Sequence, residues 1–258
     1  MKRVLTTLFL LTIASAAMAR VVTQTVEYKA GDTVCQGFIA YDDAVKGKRA
    51  AILLVHDWMG VSDHQKDQVQ QLAALGYVAL AADVYGKGVR PANSQEAGAE
   101  AGKWYKNRGL LRARVRAGLD YLAAQPQADV ARLAVTGYCF GGACALELAR
   151  SGAPLKAVVT FHGSLANPSP DDAKNIKAKV LVLHGADDPY VKQEEVKSFM
   201  DEMRAAGLDW QVVQYSGAVH SFTDPRAGSD NSKGAAYNAS ADKRSWRAMR
   251  DFLEETLK

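Results

Sequence analysis

LAVTGYCFGGACALELAR, residues 133–150, joins a run of β-forming residues to a helical pattern through the tight motif G-x-C-x-G. This spacing predicts a strand, a sharp turn with Cys139 at its apex, and a helix. Gly137 and Gly141 leave room for the strand and the helix to approach each other. The helix N-terminus carries partial positive charge, which favours thiolate over thiol at Cys139. The motif predicts a reactive cysteine, although close packing around an inert buried cysteine would need the same glycines.

Short apolar runs elsewhere predict the strands of one sheet. Residues 21–41 have the pattern of two strands joined by a turn at Gly31 and Asp32. The later runs are apolar throughout, which is typical of strands buried on both faces of a parallel sheet. These runs are AAILLVH (50–56), YVALAAD (77–83), RLAVTGY (132–138), LKAVVTFHG (155–163), AKVLVLHG (178–185) and WQVVQYSG (210–217).

Helical patterns fall between these strands, at residues 63–76, 110–125, 141–152, 193–207 and 241–258. The alternation predicts a doubly wound α/β fold, a mostly parallel sheet of about eight strands with helices on both faces. No repeat or long linker interrupts the pattern, so residues 20–258 are predicted to form a single domain. Ligands bind such folds beyond the carboxyl ends of the strands, and the residues that follow each strand are therefore the functional candidates.

A base and an acid follow the cysteine in the chain order expected for this type of turn. His220 follows the last predicted strand and is the candidate base. The acid is Asp187 or Asp188, and the G-x-x-D spacing from Gly185 favours Asp188. The other aspartate is expected to stabilise a turn. The order predicts nucleophilic catalysis by a triad of Cys139, Asp188 and His220.

Two backbone N–H groups are predicted to bind the developing oxyanion. The first belongs to Phe140, directly after the nucleophile, and the second to Trp58 in the loop HDWMG after the third strand. The long polar stretch 223–238 is expected to border the pocket.

The chain resembles the dienelactone hydrolases, which are cysteine-dependent members of the α/β-hydrolase fold. The resemblance rests on HDWMG, ADVYG, GYCFGG, HGADDPYV and HSFT, in that order, and covers essentially all of residues 20–258. It implies an α/β-hydrolase fold and hydrolysis of a small-molecule ester or lactone through Cys139, His220 and Asp188. An acyl-thioester intermediate follows from this chemistry, and no cofactor is expected.

The resemblance also suggests roles for residues near the thiol. In the family an acidic residue after the third strand holds the resting thiol, and the matching residue here is Asp57. A turn-stabilising role is the alternative for Asp57. Tyr85 and His162 are expected to line the substrate pocket, with core packing or structural hydrogen bonding as their alternatives.

Dienelactone hydrolases bind the substrate carboxylate through arginines, and the matching positions differ in this chain. Gly86 stands where one arginine is expected, and Asp224 stands where the other is expected. Lys87, Arg90 and Arg226 are the nearby cations. These departures argue against dienelactone itself as the substrate.

The N-terminus predicts export. Lys2 and Arg3 precede an apolar run, and residues 17–19 form the A-x-A pattern of a cleavage site. Residues 1–19 are therefore predicted to be a cleaved signal peptide, with the bacterial periplasm or the exterior as the destination; a buried N-terminal helix is the alternative. The formal net charge of the 258 residues is +4, and it falls to +2 without Lys2 and Arg3.

Composition also limits the partners. No basic stripe is present, so nucleic acid is not an expected partner. The mature form is not expected to bind a membrane, and it is predicted to be a monomer or a small homo-oligomer. Metal catalysis is not expected, because no two histidines have the H-x-x-x-H spacing of a helical zinc site.

The chain has three cysteines, at 35, 139 and 144. The odd number leaves at least one of them without an intramolecular partner, and a disulfide between Cys35 and Cys144 stays open. Two further classes of function also stay open. One is a non-catalytic protein that binds a small molecule, and the other is a thiol redox protein that uses Cys139 and Cys144. The spacing of the latter pair differs from the usual C-x-x-C.

Overall fold

A single eight-stranded sheet organises the computed structural model, which describes residues 20–258. The predicted signal segment therefore lies outside the described residues. The strands are β1 (Val21–Ala30), β2 (Thr33–Asp42), β3 (Arg49–Val55), β4 (Val78–Ala82), β5 (Ala128–Tyr138), β6 (Ala157–Phe161), β7 (Lys179–Gly185) and β8 (Trp210–Tyr215). Their order is β1-β2-β4-β3-β5-β6-β7-β8. β2 is antiparallel to β1 and β4, and the other neighbouring pairs are parallel.

Six α-helices connect the strands. They are α1 (Asp63–Ala74), α2 (Ser94–Lys106), α3 (Arg108–Ala123), α4 (Phe140–Arg150), α5 (Gln193–Ala205) and α6 (Ala239–Thr256), and short 3₁₀ helices lie at Pro170–Asn175, Pro225–Ala227 and Asn231–Lys233. Five of the six match predicted helices, and α2 is an addition. No helix among residues 20–258 is both long and apolar enough to cross a membrane.

The sheet is buried on both faces, which explains the unbroken apolar runs. Every residue of β3 is buried, and successive side chains of the strand point alternately into two apolar layers. Leu53 and Val55 belong to the layer that contains α3 and α4, while Ile52 and Leu54 belong to the layer that contains α1 and α6. A strand that must fill both layers cannot alternate apolar and polar residues.

The parallel strands bring six loops to one edge of the sheet. β3, β4, β5, β6, β7 and β8 run in the same direction, so the residues that follow them are neighbours in space although they are far apart in the chain. All the predicted site residues, including Tyr85 after β4, come directly from these loops.

Candidate active site

Cys139 occupies a strained turn between β5 and α4. Its φ of 54° and ψ of −115° lie in a region that side chains other than glycine rarely adopt. The neighbours must be glycine, because a Cβ at Gly137 would overlap the carbonyl of Gly141, and a Cβ at Gly141 would overlap the carbonyl of Val55. The Cys139 N–H donates to the carbonyl of Phe161 at 3.0 Å, which ties the turn to β6. The structure therefore explains the glycines by close approach of strand and helix, as the sequence predicted.

Three side chains from three loops form a continuous hydrogen-bonded series. His220 Nε2 lies 3.0 Å from Cys139 Sγ, and His220 Nδ1 lies 2.8 Å from Asp188 Oδ2. The second oxygen, Asp188 Oδ1, accepts hydrogen bonds from the N–H groups of Tyr190 at 2.8 Å and Val191 at 3.2 Å. The Asp188 side chain has no solvent exposure. The carboxylate is thus held in place to orient the His220 ring.

The electrostatics of His220 follow from its two neighbours. Burial opposes a charge on the ring, but the Cys139 sulfur and the Asp188 carboxylate outweigh burial and raise the pKa of His220 to about 10. The ring therefore carries a proton at neutral pH, and both ring nitrogens donate. A protonated imidazole beside a sulfur favours the thiolate.

The neighbouring aspartate has a different partner. Asp187 Oδ2 accepts a hydrogen bond from the N–H of Gly217 at 3.0 Å, and the Asp187 N–H donates to the carbonyl of Ala218. Asp187 therefore joins the loop after β7 to the loop after β8, while Asp188 contacts His220. This geometry separates the two aspartates, between which the G-x-x-D spacing gave only a preference for Asp188.

His162 supports the loop that carries His220. It is 3 % exposed, and its Nε2 lies 2.8 Å from Thr223 Oγ1. Its ring packs edge-to-face against the His220 ring, with centroids 5.2 Å apart. Burial and the neighbouring charge of His220 lower the pKa of His162 well below its usual range, so the ring is neutral. His162 also lines the cavity beside Cys139, as expected.

Trp58 and Phe140, the two predicted oxyanion donors, lie near the cysteine: Phe140 follows it in the chain, and Trp58 lines both cavities that Cys139 lines. Within residues 20–258, neither the Trp58 N–H nor the Phe140 N–H donates to a protein acceptor. The carbonyl of Trp58 accepts a hydrogen bond from the Tyr85 hydroxyl at 3.0 Å. His56 fixes the start of the same loop, because its Nε2 accepts from the Val84 N–H at 3.0 Å and its Nδ1–H donates to the carbonyl of Asp57.

Tyr85 corrects one prediction. It was expected to line the substrate pocket, but it is 5 % exposed and lies beneath the Trp58 loop. Its ring packs on Trp104 and Phe140, and its hydroxyl donates a hydrogen bond to the carbonyl of Trp58. An aromatic ring next to a buried sheet is covered by the next helix, here α2, which the sequence analysis missed.

Asp57 corrects a second prediction, that its carboxylate holds the resting Cys139 thiol. It lines the cavity, as expected, but the structure shows no contact between its carboxylate and the Cys139 thiol. Asp57 Oδ1 accepts from the Met59 N–H at 2.8 Å, and Oδ2 accepts from Gln65 Nε2 at 3.0 Å. The short aspartate side chain stabilises the turn after β3, which was the alternative prediction for Asp57. The Cys139 sulfur bonds to His220 instead.

Cys139 opens onto two cavities of different character. The larger, of about 600 Å³, has charged side chains among the apolar residues of its lining, and the polar stretch 223–238 forms part of its wall, as expected. The smaller, of about 310 Å³, has an aromatic and aliphatic lining. The charged residues of the larger cavity are Asp57, Arg90, Asp224 and Arg226, and the large apolar residues of the smaller are Trp58, Tyr105, Tyr190 and Val191.

The other two cysteines are remote from solvent. Both Cys35 and Cys144 are fully buried, and all three cysteines are free thiols. The disulfide that the sequence left open is therefore not present. Burial raises the pKa of Cys35 and, more strongly, of Cys144.

A strained nucleophile turn after a central parallel strand, followed in the chain by an acid loop and a histidine loop, defines the class of α/β-hydrolases. The solved structure of a dienelactone hydrolase-like promiscuous phosphotriesterase from metagenomic libraries has the same fold, with a TM-score of 0.88 and 43% sequence identity. The match covers 92% of this chain and 99% of that one. The model of the dienelactone hydrolase family matches residues 35–257, and the chain belongs to that family.

Curated proteins are also similar to this chain. A Yersinia pestis protein named "Putative carboxymethylenebutenolidase" is 28% identical over 233 residues, which cover 84% of this chain and 82% of that protein. An uncharacterized protein of Caenorhabditis elegans is 36% identical over 154 residues, which cover 58% of this chain and 96% of that protein. Family and fold together support a hydrolase function.

Proposed function

We propose that the protein is a thiol hydrolase that cleaves carboxylic esters or lactones. Cys139 is the nucleophile, His220 carries the proton and Asp188 orients the imidazole. One observation carries the proposal: the series from sulfur to imidazole to carboxylate, with separations of 3.0 and 2.8 Å, starts at the apex of a nucleophile turn.

In the acylation step, the Cys139 thiolate attacks the carbonyl carbon and forms a carbon–sulfur bond. The carbonyl electron pair moves to oxygen, where the N–H groups of Trp58 and Phe140 stabilise the oxyanion. The tetrahedral intermediate then collapses, the bond to the leaving oxygen breaks, and His220 gives its proton to that oxygen. The products are an alcohol, which stays attached in a lactone, and a thioester.

In the second step, water attacks the thioester carbonyl while neutral His220 takes its proton. The carbon–sulfur bond breaks, the acid leaves, and Cys139 and His220 return to the paired charged state. Asp188 keeps Nε2 directed at the sulfur in both steps. The mechanism uses side chains and backbone N–H groups of this chain, so no cofactor is proposed.

The leaving group decides which esters react well. A thiolate leaves the tetrahedral intermediate more readily than an alkoxide does, so an intermediate from an alkyl ester returns to substrate. Aryl and enol esters, whose oxygens leave more easily, are therefore the favoured substrates. The aromatic cavity of about 310 Å³ beside Cys139 suits a planar or branched apolar group.

A second substrate class comes from the relative that is 43% identical and is named as a promiscuous phosphotriesterase. We propose that the Cys139 thiolate also attacks the phosphorus of a neutral aryl phosphotriester, forms a phosphorus–sulfur bond and expels the aryl oxide, which takes the proton of His220. Water, deprotonated by His220, then attacks the phosphorus, the phosphorus–sulfur bond breaks, and the phosphodiester leaves. The Cys139→Ala variant should lose this activity together with ester hydrolysis.

The two other classes of function have less support. A binding protein does not need the complete series of nucleophile, base and acid. A redox pair of Cys139 with Cys144 would need a second reactive thiol, but Cys144 is fully buried and burial raises its pKa. We further propose that the protein is exported and acts in the periplasm or outside the cell, on the evidence of residues 1–19 alone.

Hydrolysis of a short 4-nitrophenyl ester by the purified mature chain tests the proposal. Cys139→Ala should lower kcat by about a thousandfold or more, because a nucleophile that acts with its base is removed. Cys144→Ala is the matched control and should keep the activity, because Cys144 is a buried thiol outside the site. Equal rates for the wild type and Cys139→Ala would sink the proposed mechanism.

A further inference from the structure

The larger cavity beside Cys139 contains two arginines, and each already has a carboxylate partner. Arg226 forms a two-pronged ion pair with Asp224, from Nε to Oδ1 and from Nη2 to Oδ2, both at 2.9 Å. Arg226 Nη2 also lies 4.0 Å from Asp57 Oδ2. The carboxylates of Asp224 and Asp57 therefore share the guanidinium of Arg226.

The second arginine is held from behind. Arg90 Nη1 lies 3.5 Å from Asp83 Oδ1, a fully buried oxygen, and it also donates to the carbonyls of Gly86 and Val89. Arg90 Nη2 donates to the carbonyl of Gln36 at 3.4 Å. These bonds direct the guanidinium of Arg90 toward the protein.

The third cation near the site in sequence does not line the cavity. Lys87 pairs with Glu27 at 2.6 Å on the surface. All three cations that sequence analysis offered for a substrate carboxylate, Lys87, Arg90 and Arg226, therefore have carboxylates of the protein as partners.

We propose that the cavity selects substrates without a carboxylate, and that Asp224 determines this preference. The inference rests on the proposed hydrolase function and names its substrate class: neutral esters and lactones. A substrate carboxylate would have to displace Asp224 from the Arg226 guanidinium, and it would leave Asp224 and Asp57 without their cationic partner beside another negative charge. Like charges placed together in a partly desolvated site reject the wrong ligand.

The chain offers an unusually direct test of this role. Asp224 Oδ1 also accepts from the Arg226 N–H and caps the turn Pro225–Ala227. Asparagine at position 224 keeps the capping oxygen and removes the negative charge. Asp230 is the matched control, because it caps the next turn, Asn231–Lys233, in the same way, but it is exposed and outside the cavity.

The experiment compares two pairs of substrates. In one pair, mono-(4-nitrophenyl) adipate is compared with its methyl ester, so the charge lies on the acyl side. In the other, 3-(4-acetoxyphenyl)propanoate is compared with its methyl ester, so the charge lies on the leaving side. Saturated spacers keep the reacting carbonyl alike within each pair. The measured quantity is the ratio of kcat/KM for the acid to kcat/KM for its methyl ester.

The wild type should prefer the methyl ester by about tenfold or more in at least one pair, as expected for a rejected like charge. In that pair Asp224→Asn should raise the ratio by about tenfold, since charge-assisted hydrogen bonds from the freed Arg226 then bind the acid. Asp224→Asn with Arg226→Gln should cancel the gain. Asp230→Asn should leave the ratio as in the wild type.

Three results would overturn the inference. The first is a wild type that prefers the acid or hydrolyses both members of each pair equally well. The second is an unchanged ratio in Asp224→Asn. The third is a ratio that stays raised in the double variant Asp224→Asn with Arg226→Gln. Each of these requires turnover that Cys139→Ala abolishes, so the hydrolase function would stand. If the wild type turns over none of the four esters, the hydrolase function fails first and the inference fails with it.

Discussion

Asp187 and Asp188 are adjacent in the chain, yet their carboxylates bond to different loops: Asp188 Oδ2 lies 2.8 Å from His220 Nδ1, and Asp187 Oδ2 lies 3.0 Å from the N–H of Gly217. Asp188→Asn should therefore lower kcat by about a hundredfold or more, because it removes the charge that orients and stabilises the His220 imidazolium. Asp187→Asn should keep most of the activity. Both variants are compared by ester hydrolysis and by thermal unfolding. A larger loss of kcat in Asp187→Asn than in Asp188→Asn would contradict the assignment of the acid.

The close approach of α4 to β3 predicts a large effect for one methyl group. Gly141→Ala places a Cβ against the carbonyl of Val55 and should lower the free energy of unfolding by about 3 kcal/mol, or prevent folding. The matched control is Gly102→Ala in α2, where a Cβ meets nothing within 4 Å. It should stabilise the protein by up to about 1 kcal/mol, because alanine favours a helix over glycine. Urea unfolding of both variants measures the contrast. Equal stability of the two would refute the packing account.

Buried neutral histidines predict loss of stability in mild acid. Burial lowers the pKa of His56, His162 and His184 below 6.5. Just below pH 6.5 these histidines are therefore protonated in the unfolded chain but neutral in the folded one, and stability falls. Their contribution is present above pH 6.5 and is lost as pH falls below it. His220 has the opposite sign, since its pKa is raised to about 10: its contribution is complete below pH 6.5 and is lost as pH rises toward 10.

His184 offers the clearest variant for this prediction, because it is 1 % exposed and it contributes no atom to either cavity beside Cys139. His184→Asn should flatten the fall in unfolding free energy between pH 6.5 and 5 by up to about 1.4 kcal/mol per pH unit. Urea unfolding at pH 7, 6 and 5 gives the slopes. If the variant and the wild type lose stability in parallel, His184 is not a source of the acid sensitivity.

Export is predicted from residues 1–19, and its measurement is direct. Expression of the full chain in a bacterium, followed by mass analysis of the periplasmic and external fractions, should give a mature protein that starts at Arg20. Replacing Lys2 and Arg3 with glutamates should reduce the exported amount. A full-length product that stays in the cytoplasm would remove the proposed localisation and leave the catalytic proposal intact.

Sequence could place the reactive turn and the sheet because both depend on local rules. The continuous apolar strands follow from burial on two faces, and Gly137 and Gly141 follow from close approach of strand and helix. Helix α2 was missed, although Asn93 and Glu96 form a capping pair at its start: Asn93 Oδ1 accepts from the Glu96 N–H, and Glu96 Oε1 accepts from Asn93 Nδ2. This N-x-x-E signal was the available evidence for the helix.

Other features depend on contacts between distant segments, which spacing does not encode. The G-x-x-D spacing favoured Asp188, but the partners of Asp187 and Asp188 depend on which loop each carboxylate contacts. Tyr85 lies under the Trp58 loop only because α2 covers it. The pairing of Arg226 with Asp224 arises in a polar stretch that has no helical or strand period. The sequence therefore indicated which cations are near the site, but it could not indicate that each is already paired with a carboxylate of the protein.

The most direct test of the account is to trap the acyl group on the protein. The mature chain is mixed with a 4-nitrophenyl ester, quenched in acid within the first turnovers, digested and analysed by mass spectrometry. The account predicts the acyl mass on the peptide that contains Cys139, sensitive to hydroxylamine as a thioester is, and absent from Cys139→Ala. An acyl group on another residue during productive turnover, or turnover that persists in Cys139→Ala, would contradict it.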